Sequence, residues 1–146
     1  MYTITDLFDL SHTMAKDYFS DFTYPWEALP GIKDMILALG AALDKEEYDE
    51  VAPQVWIHKS AKVFPSAYLG APCIIGANTE VRHCAFIRGS ALVGENCVVG
   101  NSVELKNVIL LQNKVCIAFL RNAGDFSSAF ACKCYAHTAD MIVSGA

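Results

Sequence analysis

The sequence lacks three features that would assign it to large classes of protein. Its apolar runs all end well before the about 18 residues of a transmembrane helix, so we expect no membrane-spanning segment. Met1 is not followed by a charged and then an apolar segment, so we expect no secretory signal and a cytoplasmic location. Its 11 basic residues are outnumbered by 16 acidic ones and no basic stretch stands out, which argues against a nucleic-acid partner.

A repeat of six residues runs through the middle of the chain, from Ile57 to Asn122, in eleven blocks without an insertion. The first residue of each block is aliphatic: Ile57, Val63, Leu69, Ile75, Val81, Ile87, Val93, Val99, Leu105, Leu111 and Ile117. The fifth is small or apolar: Ala61, Ala67, Cys73, Thr79, Ala85, Ala91, Cys97, Val103, Ile109 and Val115. Arg121 alone breaks that column.

A period of six fits neither a lone helix nor a lone strand, so the block must be one unit of a larger repeat. A β-solenoid satisfies it, because each block then supplies one strand and one corner, and three blocks complete a coil. The first and fifth residues point inward and stack at about 4.8 Å. The glycines at second positions are expected at the corners. A β-sandwich of short strands is the alternative, and eleven gapless blocks disfavour it.

The flanking segments differ in kind from the repeat. Residues 1–50 predict an α-helical extension with one helix from about Thr5 to Phe19 and another from about Ile32 to Leu43. It could cap the end of the solenoid, cover a side face or contact another subunit. Residues 51–122 form the predicted solenoid. Residues 123–146 predict an irregular or disordered tail, because the inward column loses its consistent size and polarity after the block that ends at Asn122.

Three cations stand at second positions of their blocks, Arg82, Arg88 and Lys106. Arg88 and Lys106 are 18 residues apart, which is one full coil, so they should lie one above the other. Two stacked cations repel each other unless an anion lies beside them. That anion could be a bound phosphate or the carboxylates of Glu80 and Glu104. The residues alone slightly favour the carboxylates.

The blocks resemble the hexapeptide-repeat acyltransferases, whose fold is a left-handed parallel β-helix. The resemblance therefore implies that handedness and a homotrimer with sites shared between subunits. Outward aromatic residues would form its interface. The candidates are Trp56, Phe64, Tyr68 and Phe86.

The segment FIRGSALVGENCVVGNSVELKNV resembles the acetyltransferase half of the bifunctional bacterial enzyme that makes UDP-N-acetylglucosamine. In that family an Arg one coil before the V-G-N-x-V-E-x-K motif, and the Lys of the motif, bind the sugar phosphate. They fall here on Arg88 and Lys106. A closer likeness, over about residues 1–115, is to short sugar-phosphate nucleotidyltransferase-like proteins that share the motif Tyr24 to Glu27. The implied function is acetyl transfer from acetyl-CoA to a phosphosugar in sugar-nucleotide biosynthesis.

The chain departs from that family after Val115. The family's catalytic His, expected in a segment H-[FL]-x-Y-[LV]-G-D, is absent from residues 116–125, and the further coils that bind acetyl-CoA have no counterpart. The uridylyltransferase half has none either. The catalytic residue is therefore unknown and the implied enzyme is impaired. A change of reading frame near Val115 would explain the loss. A non-catalytic trimeric scaffold or remnant is the alternative function.

The six cysteines offer no disulfide framework or metal site of their own. Cys73 and Cys97 occupy inward positions, where a thiol behaves as a compact hydrophobe, so we expect a reduced chain. Cys132, Cys134 and His137 supply three soft ligands within six residues, whereas a structural zinc site usually takes four in two separated pairs. His58 and His83 are expected to be hydrogen-bonded surface residues. We therefore expect no metal.

Overall fold

The computed structural model describes residues 2–118, 132–134 and 141–143. The helices are α1 (Ile4–Leu7), α2 (Lys16–Phe19), a 3₁₀ helix (Pro25–Gly31) and α3 (Ile32–Ala42). The strands are β1 (Tyr48–Ala52), β2 (Val55–His58), β3 (Lys62–Val63), β4 (Tyr68–Leu69), β5 (Cys73–Ile75), β6 (Glu80–Val81), β7 (Phe86–Ile87), β8 (Ala91–Val93), β9 (Val98–Val99), β10 (Glu104–Leu105), β11 (Val108–Leu110), β12 (Val115–Ala118), β13 (Cys132–Cys134) and β14 (Met141–Val143). Most of the strands are two or three residues long.

The strands form three parallel ladders, each of which takes every third strand of the chain. β2, β5, β8 and β11 make the first, β3, β6, β9 and β12 the second, and β4, β7 and β10 the third. We call the first the covered face, because the helices lie on it, and the third the open face. The pairing of every third strand confirms the predicted parallel β-solenoid, with about three coils.

The interior of the solenoid is a column of apolar side chains from the first and fifth positions. Ile75 pairs with Val93 one coil further on, as predicted, and both are fully buried. The buried members are Val55, Cys73, Ile75, Val81, Ala85, Ile87, Ala91, Val93, Cys97, Val99, Val103, Leu105, Val108, Leu110 and Cys116. Each large aliphatic contributes about 1.5–3 kcal/mol by its burial. Ile57, Val63 and Leu69 of the first coil are only partly buried, because no further coil lies over them.

The prediction of an uninterrupted period of six is wrong at one corner. Leu105 pairs with Ile87, 18 residues before it, but Leu110 pairs with Val93, 17 residues before it. One residue is therefore missing between Leu105 and Val108, and we call this turn the short corner. The inward residue after this corner is Leu110 instead of the predicted Leu111.

The same shift continues downstream of the short corner. Val108 and Lys114 take the fifth positions predicted for Ile109 and Val115, and Cys116 takes the first position predicted for Ile117.

The corners are made by residues at the fourth position of the block, which have a left-handed backbone. They are Asn78, Cys84, Ser90, Asn96, Ser102, Asn107 and Asn113, with φ between 48° and 60°. Asn, which stands at four of these corners, tolerates this conformation better than most residues do. The spacing between them is six residues except from Ser102 to Asn107, where it is five. The left-handed residues thus locate the missing residue independently of the strand pairing.

The second-position glycines follow strands at the corners, as predicted, and their missing Cβ allows a close approach between coils. Gly76 and Gly94 do not have a positive φ, so they do not make the turn. A Cβ on Gly76 would stand 2.6 Å from the backbone carbon of Gly94, one coil further on. The absence of a Cβ at this position therefore lets successive coils approach each other.

The N-terminal helices cover a side of the solenoid, which is the second of the three predicted arrangements. The outward residues Trp56, Ile74, Leu92 and Ile109 of the covered face are buried in one apolar cluster with helical residues such as Ile32 and Ile36. Trp56 was expected to be an exposed aromatic residue. It is only 9% exposed, because it lies beneath α3.

Antiparallel strands border the parallel ladders. β1 pairs with β2 at the start of the covered face, and β14 pairs with β11 at its other edge, while β13 pairs with β12. The rest of the predicted tail lies outside the described residues. None of the helices in the described part of the chain is long and apolar enough to cross a membrane.

The cysteines differ in part from the expectation of a reduced chain. Cys73, Cys84 and Cys97 carry thiols, and burial raises the pKa of the Cys73 thiol to about 12, which keeps it protonated and unreactive. Cys116 is disulfide-bonded.

Candidate functional site

The candidate site lies at the corner between the open face and the covered face. Arg88 follows β7 there and Lys106 follows β10, one coil further on. Glu104 pairs with Phe86 and Leu105 pairs with Ile87, so Lys106 stands at the position equivalent to Arg88, one coil further along the solenoid. The backbone N–H of Arg88 donates to the carbonyl oxygen of Leu105 at 2.8 Å, which ties the two coils together at this point.

A cleft of about 440 Å³ opens at this corner. Its described lining residues are Lys33, Ala71, Pro72, Arg88, Gly89, Ser90, Lys106 and Asn107. Three of them are cations and none is a carboxylate or an imidazole. The cleft is therefore electropositive and suits an anionic ligand.

Glutamates accompany two of the three second-position cations. Arg88 Nη1 lies 2.9 Å from Glu104 Oε1, and Arg82 Nε lies 2.9 Å from Glu80 Oε1. The predicted compensation by carboxylates is therefore present for both arginines. Within residues 2–118, however, no carboxylate lies within 4.0 Å of the Lys106 ammonium.

The Arg88–Glu104 pair is a surface interaction. Its side chains are 47% and 39% exposed, so water screens the attraction between them. An exposed pair of this kind is weak enough for a phosphate to compete with Glu104 for the guanidinium.

Two contacts fix the shape of the corner. Gly89 has a φ of +117°, and a Cβ there would stand 2.4 Å from the carbonyl oxygen of Ala71, so only glycine fits. Asn107 Nδ2 donates to the carbonyl oxygen of Leu29 at 3.2 Å. The short corner is thereby joined to the 3₁₀ helix that leads into α3.

The Tyr24 to Glu27 motif has a structural role. The Glu27 carboxylate accepts hydrogen bonds from the backbone N–H groups of Thr23 and Tyr24, at 2.9 and 2.8 Å. These bonds hold the start of the 3₁₀ helix. Because α3 begins where that helix ends, the motif sets the position of Lys33 at the cleft.

Lys33 is the site residue that the sequence analysis missed. It belongs to the helical extension, 55 residues before Arg88 and 73 before Lys106, and no periodic pattern connects the two regions. The signal that could have suggested it is its place as the first charged residue after Pro30-Gly31, at the start of a helix with one apolar stripe.

His83 does not join the site. Its Nδ1 lies 2.6 Å from Ser66 Oγ at the adjoining corner, and it does not line the cleft. His58 Nδ1 similarly lies 2.8 Å from Ser60 Oγ. Both histidines are hydrogen-bonded surface residues, as expected.

Metal ligands do not converge in the described part of the chain, where no three His, Cys, Asp or Glu side chains form a group. The side chains of Cys132 and Cys134, and the whole of His137, lie outside what is described. The prediction about them stays open.

A scan of the sequence against protein-family models finds no match, and a search of the curated proteins finds none either. The family resemblance therefore depends on the six-residue blocks, the motifs around Arg88 and Lys106, and the motif Tyr24 to Glu27.

Proposed function

We propose that this protein binds a phosphosugar in the cleft at Arg88 and Lys106, as a transferase-like protein related to the hexapeptide-repeat acyltransferases of UDP-N-acetylglucosamine biosynthesis. One observation carries the proposal. The two residues that the resemblance assigns to the sugar phosphate lie at one corner and line one electropositive cleft.

The chemistry of the lining residues agrees with this ligand. The guanidinium of Arg88 can donate two parallel hydrogen bonds to phosphate oxygens, and the ammonium of Lys106 adds a point charge. Ser90 and Asn107 line the same cleft and can bond to sugar hydroxyl groups. Ala71 and Pro72 offer apolar surface for a sugar ring.

Acetyl transfer from acetyl-CoA is the activity that the resemblance implies, and we propose that it is impaired. Transfer to an amino group requires a general base within hydrogen-bond reach. The described lining residues supply neither an imidazole nor a carboxylate. Nor do the described strands form the further coils that hold acetyl-CoA in the resembled enzymes, so we derive no transfer step.

Titration calorimetry with glucosamine 1-phosphate tests the proposal. The wild-type protein should bind it, and Arg88→Gln or Lys106→Gln should each weaken binding about tenfold, as expected for the loss of one charge-assisted contact. Arg82→Gln is the matched control, because Arg82 has the same block position and a glutamate partner but lies outside the cleft.

A wild-type protein that binds no glucosamine 1-phosphate at millimolar concentration would overturn the proposal. An assay for thiol release from acetyl-CoA, run on the same samples, separates binding from catalysis. We expect no release. Sustained release would show that a base outside the described cleft completes the site.

The second candidate is a non-catalytic trimeric scaffold, and the open face favours it. Tyr68 and Phe86 are 58% and 43% exposed, and their ring centroids are 5.2 Å apart. An exposed aromatic pair on a flat sheet is a typical contact surface. We therefore propose a homotrimer, and light scattering at micromolar concentration should give three times the chain mass. A monomer mass would contradict it.

A further inference from the structure

We infer that Lys33 is a third phosphate ligand and that it makes the cleft selective for a doubly charged phosphate monoester. This inference depends on the proposed function, because it concerns the same ligand. The inference goes beyond the proposed function because it assigns a binding role to the helical extension. Neither the repeat nor the motifs around Arg88 and Lys106 predict that role.

The position of Lys33 is fixed by the packing of its helix. Lys33 is the second residue of α3 and is exposed, whereas its neighbour Ile32 is fully buried against the solenoid. Met35 and Ile36 on the next turn are buried in the same cluster. The backbone under Lys33 is thus packed against the solenoid, and its side chain lines the cleft together with the residues of the solenoid corner.

Lys33 has no carboxylate partner in the described part of the chain. No Asp or Glu of residues 2–118 lies within 4.0 Å of its ammonium group. Asp34 is the adjacent residue, but consecutive residues of a helix do not face each other. The charge of Lys33 is therefore available to a ligand.

The charges of the cleft match a dianion. Glu104 offsets the charge of Arg88, while Lys33 and Lys106 are not offset, so about two positive charges face the ligand. A phosphate monoester carries about −1.5 to −2 at neutral pH. A phosphate diester or a carboxylate carries a single charge, and its binding would leave one lysine uncompensated.

The experiment compares two anions that share a tetrahedral phosphorus centre and differ in charge. Inorganic phosphate and dimethyl phosphate are titrated separately into the wild-type protein and into the variants Lys33→Gln, Lys33→Arg, Lys106→Gln and Lys16→Gln, each as the full chain. Lys16 is an exposed lysine of the same helical extension that does not line the cleft. Thermal unfolding of each variant checks that the fold is kept.

We expect Lys33→Gln to weaken the binding of inorganic phosphate about tenfold, as expected for one charge-assisted contact, and to change that of dimethyl phosphate much less. Lys16→Gln should bind both anions as the wild type does. Lys33→Arg should keep most of the affinity, because the charge is retained.

Two results would overturn the inference, and they differ in what they leave standing. If Lys33→Gln binds inorganic phosphate as the wild type does while Lys106→Gln does not, Lys33 is not a ligand and the proposed function survives. If the wild type binds neither inorganic phosphate nor glucosamine 1-phosphate, both proposals fail.

Discussion

The covered and open faces of the solenoid are built by the same repeat, yet they present opposite surfaces. On both, the sixth residue of a block points away from the core. On the covered face that residue is Ile74 or Leu92, each at most 1% exposed, whereas on the open face it is Tyr68 or Phe86, about half exposed. The first and fifth residues of the repeat therefore determine the interior of the solenoid, and the side chains at the sixth position determine which face the helices cover.

A pair of matched substitutions gives the sharpest test of this comparison. Leu92→Asp places a charge between the solenoid and α3, and it should cost more than the about 2–5 kcal/mol of a Leu→Ala change in a core. Phe86→Asp makes the same kind of change at the preceding sixth position, on the open face, and should cost less than about 1 kcal/mol. Urea denaturation followed by circular dichroism measures both.

If Leu92→Asp and Phe86→Asp lower the free energy of unfolding equally, the open face is also packed against another part of the folded protein. A loss in Phe86→Asp that depends on protein concentration would instead place the trimer contact there.

The contact between Gly40 and Trp56 tests how closely the helical layer fits the covered face. Alanine is normally favoured over glycine within a helix by about 1 kcal/mol. A Cβ on Gly40, however, would stand 2.3 Å from the indole ring of Trp56. We expect Gly40→Ala to lower the free energy of unfolding by about 1–3 kcal/mol, as overpacking does.

The control for that variant is Gly40→Ala combined with Trp56→Leu. The smaller side chain makes room for the Cβ, so the double variant should lose less than the sum of the two single changes. A stabilising effect of Gly40→Ala alone would show that α3 can move away from the solenoid at little cost.

The smallest expected effect on stability belongs to Glu104 on the open face. Its ion pair with Arg88 is exposed, so Glu104→Gln should change the free energy of unfolding by less than about 1 kcal/mol. The same change releases the guanidinium of Arg88, and binding of glucosamine 1-phosphate should tighten about threefold at low salt. Calorimetry measures the second effect.

Glu80→Gln is the matched control, because it releases Arg82 at a corner outside the cleft. It should leave the affinity unchanged. Weaker binding by Glu104→Gln would show that the carboxylate orients Arg88 for the ligand instead of competing with it.

The sequence was sufficient to predict the solenoid and the stacking of Arg88 with Lys106, because few folds besides a solenoid produce an inward column that repeats every six residues. It was not sufficient to find the short corner. Leu110 and Leu111 are both leucine, and Val108 and Ile109 are both aliphatic, so the size of the side chains fits either register.

The polarity of Lys114 even favoured the predicted register, in which Lys114 points outward and Val115 points inward. The structure nevertheless places it at an inward position, 9% exposed. The better guide was the spacing of the left-handed corner residues, several of which are Asn. Consecutive corners up to Ser102 are six residues apart, as are Asn107 and Asn113, whereas Ser102 and Asn107 are only five apart.

The helical layer and Lys33 were harder to place for a different reason. A repeat constrains residues at fixed separations, whereas the docking of α3 depends on shape, such as the fit of Gly40 over Trp56. The apolar stripe of α3 predicted that one side would be buried but not which surface would bury it.

The short corner at Lys106 and Asn107 also shows where this architecture can change its length during evolution. A residue lost there shortens a turn and leaves the strands on both sides paired through their inward residues. The same loss within a strand would turn its inward side chains outward. Because corner residues supply most of the lining of the cleft at Arg88 and Lys106, single insertions and deletions can reshape the cleft while the solenoid stays intact.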